Sequence, residues 1–457
     1  MVRVTTTATR PTALTPVGEF PQVIGESRLA AALWCAGLGT FALLYAPQGL
    51  LTDVSASLAV SPSRAALLVS GATLGLAASV IPWAWLSDRI GRPEAMRVAA
   101  VASAVLAVLV PWLPGFEMLV AGRFLQGAAL GGIPALAIAL VHDWSLPARA
   151  GALAGSYVAA TSVGGLVGRL VSVPVAQHLG WRLGLVAVGA CLTAVMALLV
   201  FLLPPGSPRG RRPHLDVGSR RPSQLTHLRA HLRDRTLVAL FCVGGLLVGG
   251  LAAIFNYLPF RLEAPPYGLA PTVVSLVFLT YLAGTVGSRL AGALSDRWSP
   301  RTVLVIACSL MGVGALVTLA RPLLVVVAGV TVLTLGLFVG HAVAASRVGA
   351  RATTGRAQAT ALYTVVYYAG ASLFGWVAGH AWGLVGWVGV VGLVVALAAV
   401  ALMLVLSVPD GARAKAPASR PEHAGRARAP RPGRAGRRTD ADPDLTRTCA
   451  ASGPAGS

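Results

Sequence analysis

The sequence predicts an all-α membrane protein of twelve transmembrane helices arranged as two six-helix repeats. Three observations carry that prediction. First, 55% of the 457 residues are hydrophobic, only 12% are charged, and the mean hydropathy is +0.72. A soluble domain carries about 25% charged residues. Second, twelve apolar stretches have roughly the ~20 residues that a helix needs to cross a bilayer. Third, two landmarks recur at nearly one offset. Leu86-Ser87-Asp88-Arg89-Ile90-Gly91-Arg92 and Leu294-Ser295-Asp296-Arg297 lie 208 residues apart, and Arg149 and Arg356, each next to small residues, lie 207 apart.

In chain order the apolar stretches are 29–50, 65–86, 96–113, 117–141, 150–177 and 183–203, then 236–259, 271–294, 302–320, 322–345, 357–380 and 383–407. Pro111 and Pro114 crowd the end of the third, and only Arg321-Pro322 separates the ninth from the tenth. The expected organisation is a tail (1–28), a six-helix bundle (29–203), a linker (204–235), a second bundle (236–407) and a tail (408–457). The linker contains Pro204-Pro205-Gly206 and Arg211-Arg212-Pro213. Its end, Leu225 to Arg235, reads either as an amphipathic helix on the membrane surface or as unstructured chain. Residues 408–457 are Ala, Arg, Pro and Gly with few large apolar side chains, a composition that buries no core and predicts disorder. Residues 1–27 lack the apolar core of a secretory signal.

The charge balance sets the expected orientation. The formal net charge is +21, which in a soluble chain would suggest a nucleic-acid partner. Here the basic residues sit in loops and tails. With both termini cytoplasmic, the inside loops and tails hold 30 of the 37 basic residues. The outside turns hold four: Arg64, Arg182, Arg261 and Arg321. Discounting both tails, the inside still leads 17 to 4. This is the positive-inside pattern of a multi-pass protein of the cell membrane.

The stretch at 86–92 reads as a tight charged turn between two helices, with Gly91 permitting the turn. Asp88 is placed to meet the positive N-terminus of a neighbouring helix. The run Ala84-Trp85-Leu86-Ser87-Asp88-Arg89-Ile90-Gly91-Arg92-Pro93 resembles the loop signature of the major facilitator superfamily, with Ala84 and Pro93 as its departures. The second copy keeps Asp296 and Arg297 and has Ser299 where the turn glycine belongs. The resemblance implies the major facilitator fold. It also implies a conformational latch made of Asp88, Arg89, Gly91, Arg92, Arg149, Asp296, Arg297 and Arg356. The alternative is that these charges only set topology.

In the fourth segment, Arg123-Phe124-Leu125-Gln126-Gly127 is similar to the family's Arg-x-x-Gln-Gly-x-Gly signature. An arginine inside a membrane helix costs at least ~2.5 kcal/mol to insert, so it must face a polar cavity or a partner. In the fifth, Gly155, Gly164 and Gly168 resemble the glycine spacing of the family's antiporters, with Arg169 where those carry proline. The glycines suit close helix packing. Counting 1.5 Å per residue, Arg123 and Arg169 lie about 10 and 12 Å inside the outer ends of their segments. Tyr45 and Gln48 in the first segment are three apart and share a face. On depth alone, both arginines and that face can meet in the first bundle, with Asp53 and Glu117 as the nearest acids. Asn256, Tyr257, Tyr363 and Tyr367 are the second bundle's cavity candidates, the two on the eleventh segment being equally readable as packing. His341 is either a titrating group or a packing residue.

No acid lies in the middle of a segment. An ATP-driven pump is disfavoured, because the only lysine, Lys415, precedes Ala416 and forms no phosphate-binding Gly-Lys-Ser/Thr. An enzyme is disfavoured too, since His142-Asp143 is the only close pair and reads as a helix cap. The cysteines form no metal-like spacing, so neither a metal nor a cofactor is expected. The resemblance implies a secondary transporter with a small-molecule substrate held between its halves, leaning towards exporters of drugs or metabolites in exchange for protons, and a monomer is expected because one chain contains both halves. A sensor on the same fold, or uptake or facilitated diffusion of a small organic anion, are the alternatives.

Overall fold

The computed structural model describes residues 25–205 and 224–407. The expected C-terminal tail and most of the expected N-terminal tail and linker lie outside those residues; positions 26–28 of the expected N-terminal tail are already helical. Among the described residues, twelve helices are long and apolar enough to cross a membrane: α1 Glu26–Ser57, α2 Pro62–Ile90, α3 Arg92–Trp112, α4 Phe116–Trp144, α5 Ala148–Leu179, α6 Trp181–Leu202, α7 Arg235–Glu263, α8 Pro271–Arg297, α9 Pro300–Val317, α10 Leu323–Arg351, α11 Arg356–Val385 and α12 Trp387–Ser407. An even number of crossings puts residues 25 and 407 on one face, called here the terminus face; the opposite one is the far face. A short connecting helix, Gln224–Arg233, precedes α7. Helix therefore forms where the sequence left helix and unstructured chain open.

Most helices overrun the predicted stretches, because charged end turns stay helical. The charged motif is the clearest case. It reads from sequence as a turn from Leu86 onward, yet α2 continues to Ile90 and α3 begins at Arg92. The turn is one residue, Gly91, at φ +93°, a region that only glycine enters without strain. The second repeat solves the same corner differently. There the Ser299 hydroxyl accepts from the Thr302 N–H at 3.2 Å and Pro300 opens α9, so no positive φ is needed. At α7, Asp234 accepts from Thr236 N (2.9 Å) and Leu237 N (3.3 Å) and pairs with Arg351 Nε at 2.8 Å.

Each repeat has its own buried core. One is built from residues of 29–203 and reaches over to Tyr368; the other is built from residues of 237–405 and reaches over to Ala66 and Leu166. The tightest helix pairs, α1–α5 and α7–α11, are repeat equivalents. Glycine permits that closeness. A Cβ at Gly164 or Gly168 would strike the Leu38 or Ala42 carbonyl of α1. Gly155, the third glycine of that spacing, faces open space.

The halves meet through α2–α11 and α5–α8. The Ser372 hydroxyl of α11 donates to the Ser70 carbonyl of α2 at 2.8 Å. Contacts between α5 and α8 are concentrated in Pro271–Leu282, the far-face part of α8. Towards the terminus face, Gly151 and Gly155 of α5 and Gly292 of α8 have open space where a Cβ would stand.

Candidate functional site

The site begins with a proline. Pro47 has no N–H for the Leu43 carbonyl, and α1 tightens into a 3₁₀ turn over Ala46–Leu50. That frees carbonyls inside the membrane, where an orphaned acceptor is costly. Arg123 takes them. Its Nη1 donates to Leu43 O (3.2 Å), its Nη2 to Leu44 O (2.6 Å) and its Nε to Leu68 O of α2 (3.0 Å), while Nη1 also meets Gln126 Oε1. The Ser172 hydroxyl donates to Ala46 O at 3.1 Å. Arg123 and Gln126 line a cavity of about 20 Å³ within the first repeat, with Leu43, Ala46, Val110 and Val188.

The same turn presents Gln48 to Arg169, which is 1% exposed. Arg169 Nε donates to Gln48 Oε1 at 2.9 Å, Nη2 meets the same oxygen, and Nη1 meets the Gly165 carbonyl. Four rings surround the guanidinium: Tyr45 at 4.9 Å, Phe278 at 4.8 Å, Tyr281 at 5.1 Å and Phe255 at 5.7 Å from its carbon to the ring centres. Tyr45 belongs to the first repeat and the other three to the second. Aromatic faces attract a cation that has lost its water. No carboxylate pairs with Arg169 among the described residues. Gln48 also crosses between halves: its Nε2 donates to Asn256 Oδ1 of α7 at 2.6 Å. The enclosed space, lined by Tyr45, Gln48, Arg169, Leu251, Phe255 and Tyr281, is about 10 Å³, room for roughly one water.

The other sequence candidates divide. Tyr45, Gln48, Arg169 and Asn256 come together at the interface of the halves. Arg123 and Gln126 sit apart, in the first repeat. Tyr257 packs inside the second repeat, its hydroxyl on Gly375 O at 3.2 Å and its ring stacked on Phe260 and Trp382. Tyr363 bonds His341 Nδ1 at 2.8 Å, and Tyr367 lies 4.6 Å from the His341 ring. The Tyr367 ring also contacts those of Tyr363 and Tyr368. The acids do not join the arginines. Glu117 pairs with Arg64 on the surface, and Asp53 lies near Glu263 of α7.

At the terminus face, Arg92 pairs with Asp143, Arg149 with Glu26 at 3.6 Å, and Arg356 Nε donates to Ala352 O at 3.0 Å. Each of these contacts stays within its own half. Arg89 lies over the Trp85 ring at 3.3 Å. Asp88, Asp296 and Arg297 are exposed at the helix ends. Sequence reasoning missed Phe255, Phe278 and Tyr281, because an aromatic residue in a membrane helix carries no mark that separates cage from packing.

Two repeats, each with its own core, and a polar site enclosed between them describe a transporter architecture. The profile of the Major Facilitator Superfamily matches residues 29–343 and 264–443. The chain belongs to the major facilitator superfamily. It is 34% identical over 377 residues to an uncharacterized MFS-type transporter of Bacillus subtilis (strain 168), YybF, covering 82% of this chain and 92% of that one. It is 34% identical over 387 residues to the inner membrane transport protein YnfM of Escherichia coli (strain K12), covering 84% and 90%. Among solved structures, a bacterial homologue of the human lysosomal transporter Spinster aligns with a TM-score of 0.64 at 16% identity, covering 83% of this chain and 95% of that one. The nucleoside transporter NupG aligns at 0.66 and 14%, covering 83% and 98%. These two share the fold. This superfamily member is thus a multi-pass membrane transporter of twelve helices.

Proposed function

We propose that this transporter moves a small organic monoanion with a planar apolar body across the cell membrane by alternating access, and that Arg169 receives the anionic group. One observation carries the reading: a buried guanidinium at the interface of the halves, ringed by aromatics and neutralised by no acid among the described residues. A carboxylate or sulfonate would take the Nε/Nη2 edge with two parallel hydrogen bonds, the geometry that arginine favours. Tyr45, Phe255, Phe278 and Tyr281 would pack on the planar body.

The terminus face is the cytoplasmic one in this reading, on the strength of the basic loops. The protein acts as a monomer, since one chain supplies both halves. Asp88, Arg89, Arg92, Arg149, Asp296, Arg297 and Arg356 latch that face when it closes. Arg123 and Gln126 hold the bend of α1 that aims Gln48. Export in exchange for protons rests on the glycine spacing of α5. Asp53 and Glu263, which interact between α1 and α7, are the proton carriers of this scheme.

The test uses proteoliposomes with an internal pH dye, an imposed proton gradient and benzenesulfonate, whose permanent charge keeps it from leaking through lipid. Benzenesulfonate should dissipate the gradient only with protein present. Arg169→Gln should slow the dissipation by about 10- to 100-fold, and Asp53→Asn with Glu263→Gln should leave labelled exchange but remove proton movement. Dissipation by lipophilic cations alone, with benzenesulfonate inert, would refute the anion reading.

A further inference from the structure

The contact joining the two halves at the cage is made by repeat-equivalent residues. Gln48 and Asn256 are 208 positions apart, the offset that relates Leu86 to Leu294. Two amides from corresponding places on α1 and α7 therefore meet near the local axis between the repeats. Both lie nearer the far-face end of their helices than the terminus-face end.

Gln48 has two attachments, and they compete with a ligand in different ways. Its Oε1 occupies the Nε/Nη2 edge of Arg169. Its Nε2 holds Asn256. A ligand oxygen arriving on that edge must displace Gln48 Oε1, and the side chain cannot leave Arg169 while keeping its place under Asn256. Asn256 is fully buried, and its Nδ2 has no hydrogen-bond partner among the described residues. The Ser70 hydroxyl of α2 is likewise buried and unpartnered among the described residues. A Cβ on Gly375 of α11 would lie 3.0 Å from Asn256 Nδ2 and 3.2 Å from Ser70 Oγ. Polar capacity is thus left unspent where α2, α7 and α11 converge.

We infer that Gln48 is a relay: an anion taking Arg169 releases Gln48, breaks the Gln48–Asn256 tie and frees the far face to open. The trigger rests on the anion reading of Arg169 above; the tie itself does not. By linkage, whatever the tie contributes to the closed state must be overcome by the ligand, so removing the tie tightens apparent binding.

The test uses the full-length protein in nanodiscs, comparing wild type, Asn256→Ala and Arg169→Gln. Two quantities are read: binding of radiolabelled benzenesulfonate, and deuterium uptake by the far-face segments 50–66 and 258–272. The expected result has three parts. Benzenesulfonate raises uptake in wild type. Asn256→Ala shows raised uptake without ligand and a dissociation constant three- to tenfold lower than wild type. Arg169→Gln binds at least tenfold more weakly. Wild-type uptake in ligand-free Asn256→Ala would overturn the relay while leaving the anion site standing. Equal binding by wild type and Arg169→Gln would overturn the anion site and the trigger with it. Should Asn256→Ala not purify as a monodisperse species, Asn256→Ser replaces it, with the same expected signs.

Discussion

Arg123 and Arg169 are the same residue type, in the same repeat, both buried, and neither pairs with a carboxylate among the described residues. They differ in what receives their donors. Arg123 spends its guanidinium on three backbone carbonyls and one amide, all within the first repeat. Arg169 spends two of its nitrogens on one amide oxygen that a ligand can replace and the third on the Gly165 carbonyl of its own helix, and ring faces drawn from both repeats surround the rest. A buried charge that ties three backbone carbonyls of neighbouring helices together is a strut. A buried charge bonded to a movable side chain, at an interface, is a receptor.

The largest effect expected from that contrast is on stability. Arg123→Ala should cost about 3 kcal/mol, counting ~1 kcal/mol for each of its three hydrogen bonds to backbone carbonyls, and thermal unfolding in detergent measures it. An unfolding midpoint close to wild type would break the comparison. Next, Arg169→Gln should slow benzenesulfonate transport by about 10- to 100-fold, the loss of one charge-assisted contact of ~1.5–3 kcal/mol. Its unfolding midpoint should stay within a few degrees of wild type. A variant that is inactive only because it is unfolded would make Arg169 a second strut.

A smaller effect sharpens the cause. Pro47→Ala supplies an N–H for Leu43 O, so Arg123→Ala should cost less in that background. The two substitutions should couple by about 1 kcal/mol in a double-mutant cycle, and strict additivity would remove Pro47 from the explanation.

The smallest effect concerns an arginine that does have an acid. Burial alone would raise the Asp234 pKa, but the hydrogen bond and charge of Arg351, with the Leu237 and Thr236 N–H groups, lower it below the ordinary carboxylate value. A lowered folded pKa means the stabilisation is fully present above the unfolded value, near 3.9, and is lost as pH falls through the folded one. Both side chains are partly exposed, at 28% and 49%, so solvent screens the pair. Its contribution, cap included, is about 1 kcal/mol. Asp234→Asn should flatten the acid limb of the stability profile, read by denaturation at pH 3 and pH 7. An unchanged limb would show that other carboxylates dominate it.

Much of the candidate site was legible in the sequence. Two arginines inside apolar segments announce themselves by insertion cost, and Gln48 and Asn256 stand out as amides among apolar neighbours. What their depth could not reveal is which way each faces. Both arginines were placed near Asp53 and Glu117, but Glu117 is drawn to the nearer surface cation Arg64, and Asp53 lies beside Glu263 on another helix. Asn256 and Tyr257 are adjacent cavity candidates in the sequence, and only the first reaches the interface of the halves. Successive residues on a helix point about 100° apart, and that rotation turns Tyr257 into the core of its own repeat.

The sequence by itself determined the twelve crossings and the repeat. Hydropathy over ~20 residues is a property of the chain and needs no partner, and a recurring motif is visible without coordinates. Tertiary structure alone decided the pairings. It assigned the carbonyls that Pro47 frees to an arginine some eighty positions away, gathered rings from α1, α7 and α8 around Arg169, and set Gln48 against its repeat equivalent. The physical reason is that in lipid every buried polar group must find a partner inside the protein. Which partner is nearest depends on how helices cross, and no local stretch of chain records that.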